Sequence, residues 1–116
     1  MSFASRFNKT QFDVDVKDFS YAKLSDLYNS TGDKGKKVRT INGMWVHKSQ
    51  LGDSPVFIVA DEKLLVNIPS FASDTVREIL ADDTAVQEIK DGKVGFTIYE
   101  YDSHGKKCYN VRFVDL

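Results

Sequence analysis

Trp45, Tyr99 and Tyr101 stand among lysines and arginines, and that mixture is the strongest chemical signal in the chain. Lys36, Lys37, Arg39 and Lys48 flank the segment holding Trp45, while Lys106, Lys107 and Arg112 follow the two tyrosines. Aromatic rings present faces on which bases stack, and cations track a phosphate backbone; together they make a platform for single-stranded nucleic acid. The same rings can instead close a core or form a protein-binding patch.

Other constellations carry less. The two histidines, His47 and His104, have no serine, cysteine or acid placed beside them in a nucleophile motif. Cys108 lies four residues beyond His104, but across a turn that leaves the imidazole in water. Asp13 and Asp15 put two carboxylates on one strand face, without the further oxygen ligands a cation site requires. Gly32 to Lys36 resembles a phosphate loop only superficially, lacking the preceding strand, the spacing and the Ser/Thr. The expectation is a non-enzyme with no metal and no cofactor. Cys108, the only cysteine, excludes an internal disulfide and is expected to serve as a small buried hydrophobe.

These residues sit in a chain of 116, the size of one ordinary domain, with 41% hydrophobic and 28% charged residues. No window approaches the roughly 18 consecutive apolar residues of a membrane span, and the first residues contain no apolar signal core. A cytoplasmic protein without membrane attachment is expected. The net charge of −1 argues against a generic polyanion binder, yet charge is segregated. Ser70 to Gly92 holds six acids and two bases, so −4 there against −1 overall leaves +3 for the remainder. Lys34 to Lys48 contains five bases and no acid. One acidic and one basic surface would follow.

The positioning elements follow from periodicity. Residues 1–28 form an N-terminal arm or an extra strand, with Phe12, Val14 and Val16 alternating against Asp13, Asp15 and Lys17. Tyr21 to Tyr28 suits a strand or a short helical turn, and Asn29 to Lys37 a loop. Val38 to Lys48 is a strand in which Gly43 marks a bulge or tight bend. After a turn from Gln50 to Pro55, the β-branched and aromatic run Val56 to Val59 and the segment Lys63 to Ile68 form a hairpin across Asp61-Glu62. Ser70 or Ser73 is placed to cap a helix with an apolar stripe of Phe71, Ala72, Val76, Ile79 and Leu80. Thr84 to Gln87 has the form of a capping box opening a second helix that stops at Gly92. Lys93 to Tyr101 and Lys107 to Leu116 alternate most clearly and pair around Asp102 to Gly105, with Phe57, Phe96, Tyr109 and Phe113 assigned to the core.

Three strands, a helical segment and two strands make an α+β, β-rich order. It matches an OB-like five-stranded barrel with one or two short helices between strands three and four, plus an N-terminal extension. In that barrel the first strand bends to serve both halves. The loops Lys48 to Ser54 and Asp102 to Lys107 would flank the binding face.

Leu65-Val-Asn-Ile-Pro-Ser70 and Lys93-Val-Gly-Phe-Thr-Ile-Tyr-Glu-Tyr101, with Cys108-Tyr109 and Phe113-Val-Asp115, resemble parts of small proteins encoded by phages and conjugative elements of Gram-positive bacteria. The resemblance implies a mobile-element setting, where chains of this size act as single-strand binding accessories or as inhibitors of host defences. Two readings therefore stand. One is a non-catalytic binder of single-stranded nucleic acid. The alternative is an interaction module or inhibitor that engages a host or phage protein. A terminal strand with an open edge can also pair with a second copy.

Overall fold

The computed structural model describes residues 12, 14–30, 32–50 and 52–116. In chain order the elements are β1 (Ser20–Lys23), α1 (Leu24–Ser30), β2 (Arg39–Thr40), β3 (Gly43–Ser49), β4 (Gly52–Val59), β5 (Leu64–Asn67), α2 (Ser73–Ala81), α3 (Asp83–Lys90), β6 (Val94–Ser103) and β7 (Lys106–Asp115). Short 3-10 turns, Ala60–Glu62 and Ser70–Ala72, follow β4 and precede α2.

The strands form two open sheets, β1-β5-β4-β3 and β2-β6-β7, not a closed barrel. The expected bend of the first long strand is present. Arg39–Thr40 pairs with Gly95 and Phe96 in one sheet, whereas Gly43–Ser49 pairs with β4 in the other. At the switch, the Ile41 N–H bonds the Val94 carbonyl and the Asn42 N–H bonds the Ile58 carbonyl. Gly43 serves close approach, because a Cβ there would lie 2.8 Å from Ile58 Cδ1 and 3.0 Å from Phe12. Closure of a barrel would need β7 against β5. A strand has only two edges, and those of β5 are filled by β4 and, in parallel, by β1, from Ser20 opposite Leu64 to Lys23 opposite Asn67. The N-terminal segment thus takes the edge that closure requires, and the OB-like assignment fails for that reason.

Other local expectations are also revised. Val14 to Phe19 is not a strand, and β3 and β4 pair as far as Ser49 opposite Gly52, so that Pro55, expected in the turn, lies inside β4 opposite Val46. Neither Ser70 nor Ser73 caps α2; the Ser73 hydroxyl instead donates to the Ser70 carbonyl at 2.7 Å. Asp82, not Thr84, caps α3, accepting from the N–H groups of Thr84 and Ala85, and Gln87 donates to Asp91 in place of closing a capping box. That helix does end as expected: the Gly92 N–H bonds the Ile89 carbonyl and the Lys93 N–H bonds that of Glu88.

The main core lies between the sheets and beneath α2 and α3. Phe57 meets Phe96 edge-on at 5.5 Å, with Ile41, Met44, Val59, Val66, Val76 and Ile89 around them. β4 is buried on both faces, which is why it reads as a continuous apolar run. Phe57 and Val59 face the main core, while Val56 and Ile58 meet a second cluster containing Val14, Val16, Phe19 and Trp45. Phe113, assigned to the core by alternation, is instead 46% exposed, and Phe71, assigned to the apolar stripe of a helix, is 64% exposed.

Arg39 is buried, with its side chain 2% exposed. Its Nε donates to Glu62 Oε1 at 3.1 Å, and Lys37 Nζ reaches the same oxygen at 3.0 Å. Among the described residues, Arg39 Nη1 has no hydrogen-bond partner. A buried guanidinium stripped of its carboxylate is strongly unfavourable. Glu62→Ala is accordingly expected to cost on the order of 2 kcal/mol in urea denaturation, with Glu62→Gln recovering part of it. Unchanged stability in Glu62→Ala would show that the pair does not hold β2 in place.

Candidate nucleic-acid interface

The hairpin of β6 and β7 is built on a two-residue turn. Ser103 pairs with Lys106, leaving His104 (φ 52°) and Gly105 (φ 79°) at the tip. Two successive residues of positive φ match the right-handed twist of the flanking strands, and glycine adopts that region without steric cost. This turn fixes the register of the whole hairpin.

Register then sorts the side chains by parity. Phe96, Ile98, Glu100 and Asp102 lie opposite Phe113, Val111, Tyr109 and Lys107, all on the face directed at the core and α1. Thr97, Tyr99, Tyr101 and Ser103 lie opposite Arg112, Asn110, Cys108 and Lys106 on the outer face. Every carboxylate of this stretch falls on the first set. The outer set carries two tyrosines, a lysine and an arginine, and no acid.

On that outer face the rings of Tyr99 and Tyr101 are 5.9 Å apart and tilted by 40°. The Arg112 guanidinium lies 4.7 Å from the Tyr99 ring centre, a cation–π contact. The Asn110 amide donates to the Tyr99 hydroxyl at 3.3 Å, fixing the ring position. Loss of solvent pushes the Tyr101 phenol above its ordinary pKa, with Cys108 and Tyr99 adding to the effect. Cys108 itself is half-buried beside Tyr101, not in the core as expected.

The inner face at the same end is polar but internally satisfied. Lys107 Nζ donates to Glu100 Oε1 at 3.0 Å, and the Tyr109 hydroxyl donates to Glu100 Oε2 at 3.0 Å. Tyr109 in turn packs on Tyr28 of α1 with ring centres 5.2 Å apart. The hydrogen bond from Lys107, then that from Tyr109, holds the Glu100 carboxyl below its usual range. The bond to Glu100 raises both Lys107 and Tyr109. A carboxylate with a lowered folded-state pKa contributes stability above its unfolded pKa and loses it as pH falls through the folded one. For Lys107, raised on folding, the contribution is full below its unfolded pKa and is lost as pH rises through the folded one. The thermal midpoint of the wild type is therefore expected to exceed that of Glu100→Gln between those limits, with the gap closing on acidification. A gap that persists below the carboxylate range would contradict this assignment.

The basic residues named from sequence divide accordingly. Tyr99, Tyr101, Lys106 and Arg112 share one face. Lys107 is on the opposite face, held by Glu100, and Lys37 and Arg39 are held by Glu62. Lys36 and Lys48 are exposed but belong to other parts of the molecule, a loop and β3. Trp45 is half-buried on the other sheet, packed against the cluster of Val56, Ile58 and Leu65 that also receives Val14, Val16 and Phe19, and does not join the tyrosines. The Gly32 to Lys36 loop is structural. Asp33 Oδ1 accepts from the Gly35 N–H, and the Gly35 carbonyl accepts from the Ile98 N–H along the free edge of β6. At Gly35 (φ +78°) a Cβ would fall 2.2 Å from the Ile98 carbonyl oxygen, so only glycine fits.

Glu62, Glu100 and Asn110 were not singled out by motif. The Glu100–Lys107 pair was nevertheless readable, since a two-residue turn at His104-Gly105 places Lys107 one diagonal step from Glu100. Among the described residues no group of His, Cys, Asp or Glu is arranged to hold a metal ion, and no helix is long and apolar enough to cross a membrane. Asp13, half of the carboxylate pair noted above, lies outside the described residues.

Compared with protein-family models, curated proteins and solved structures, the chain matches none.

Proposed function

We propose that this chain is a non-catalytic domain that binds single-stranded nucleic acid through the outer face of the β6–β7 hairpin. The observation that carries the reading is the sorting of charge by parity: Tyr99, Tyr101, Lys106 and Arg112 on one face, with Glu100, Asp102 and Asp115 on the other. Stacked rings on a sheet surface accept any base, and the flanking cations meet the phosphates. The resemblance to phage and conjugative-element proteins fits a replication accessory. Titration of a fluorescently labelled oligonucleotide at two salt concentrations tests it. With Lys106 and Arg112 as the phosphate contacts, log K should fall with log salt at a slope of roughly −1.4, from about −0.7 per cation on a single strand. Absence of binding at micromolar protein in low salt, or binding indifferent to salt, would overturn the reading.

A second reading, an interaction module or inhibitor directed at a host or phage protein, is favoured by a different feature. A hollow of about 190 Å³ between β7 and α2 is lined by Phe57, Ile68, Ala72 and Val76, with the exposed Phe71 and Phe113 at its rim. Capture from lysate after nuclease treatment separates the two. A retained protein supports this second reading, and loss of every partner on treatment supports the first.

A further inference from the structure

Among the described residues the outer edge of β7 is unpaired. The Val111 N–H bonds the Oδ1 of Asn110 at 2.8 Å and so points away from β6, and the Ile98 N–H opposite it points to Gly35. Ile98 and Val111 are thus a non-hydrogen-bonded pair. By alternation, the backbone groups of Lys107, Tyr109, Val111, Phe113 and Asp115 face outward. Among the described residues no strand pairs with them. A ten-residue edge of this kind is a template for another strand, and β7 carries no proline to block it.

We infer that the strand it accepts is β7 of a second copy, antiparallel about a two-fold axis at Val111. Registers that place outward-facing residues opposite one another were compared by charge. Centred on Val111, Lys107 of each copy falls opposite Asp115 of the other, Tyr109 opposite Phe113, Cys108 opposite Val114 and Asn110 opposite Arg112. Shifting the axis to Arg112 sets arginine against arginine, and shifting it to Asn110 sets Lys107 against Phe113. Only the Val111 register joins unlike charges at both ends and apolar residues between them. It also brings Tyr109, Val111 and Phe113 of the second copy to the hollow beside β7, covering the exposed Phe71 and Phe113. Asn110 exchanges its bond to the Val111 N–H for a backbone carbonyl of the second copy. The product is a six-stranded sheet, β2-β6-β7 and its two-fold mate, with both outer aromatic faces on one side. The pairing stands whether or not that face binds nucleic acid.

Sedimentation equilibrium of the full chain is expected to show a dimer. Asp115→Lys, which sets lysine against Lys107, should weaken it at least tenfold. Val111→Pro should give a monomer with its circular dichroism intact, because that N–H makes no bond to β6. The register has an independent readout in Val114→Cys. Opposed non-hydrogen-bonded positions suit a disulfide, so mild oxidation should join Cys108 of one copy to the introduced thiol of the other and give covalent dimer quickly. A wild-type monomer at high micromolar concentration would overturn the inference. So would Val114→Cys crosslinking no faster than the wild type, whose only thiol is Cys108.

Discussion

Truncating Phe57 to alanine is expected to remove about 3–5 kcal/mol of folding stability. The ring is 1% exposed and is the point at which the two sheets meet, touching Phe96 at 5.5 Å and Phe113 at 5.9 Å. Its loss removes apolar transfer energy and leaves a cavity that β4, fixed on both edges by β3 and β5, is poorly placed to collapse. Against a total of roughly 5–15 kcal/mol for a small domain, that is a large fraction. A urea titration followed by circular dichroism reads it as a lower midpoint at unchanged slope. Phe113→Ala is the internal comparison. At 46% exposure it should cost much less, and equal losses at the two positions would mean that the sheets do not meet as described.

The second large effect concerns binding. Replacing Tyr99 and Tyr101 together by alanine should weaken oligonucleotide binding by about two orders of magnitude, taking roughly tenfold for each lost stacking ring. Arg112→Ala removes a phosphate contact and the cation seated on Tyr99, so it should lower affinity and flatten the salt dependence. Trp45→Ala is expected to act on stability and not on binding, because the indole packs against Val56, Ile58 and Leu65 on the other sheet. If the double tyrosine variant bound as tightly as the wild type while Trp45→Ala did not, the face would be misassigned.

The hairpin was the most legible part of the chain. Strict alternation from Val94 to Tyr101 and again from Cys108 to Phe113, around a glycine able to take positive φ, leaves little freedom in strand placement or face. Tyr99, Tyr101 and Arg112 were separable from Phe96 and Ile98 by parity alone. The long-range partners were not. Arg39 looked like one more cation of a basic groove, and nothing local indicates that Glu62, 23 residues on, would bury and neutralise it. Trp45 shares the alternation of an outer face, but it packs on a cluster of Val56, Ile58 and Leu65 that also takes up Val14, Val16 and Phe19 from far earlier in the sequence.

Local rules therefore determined the β6–β7 hairpin and the stop of α3: which of the hairpin's residues share a face, and that it turns around Gly105. These depend on neighbours within a few residues, and alternation and glycine's access to positive φ encode them directly. The tertiary structure alone decided whether the sheet closes and which charges are free. Both are contests for a partner between distant segments. β1 took the edge of β5 that β7 would have needed, and Glu62 took the charge of Arg39 and Lys37. Periodicity states that a strand has an edge or a side chain a charge, but the fold decides what meets it.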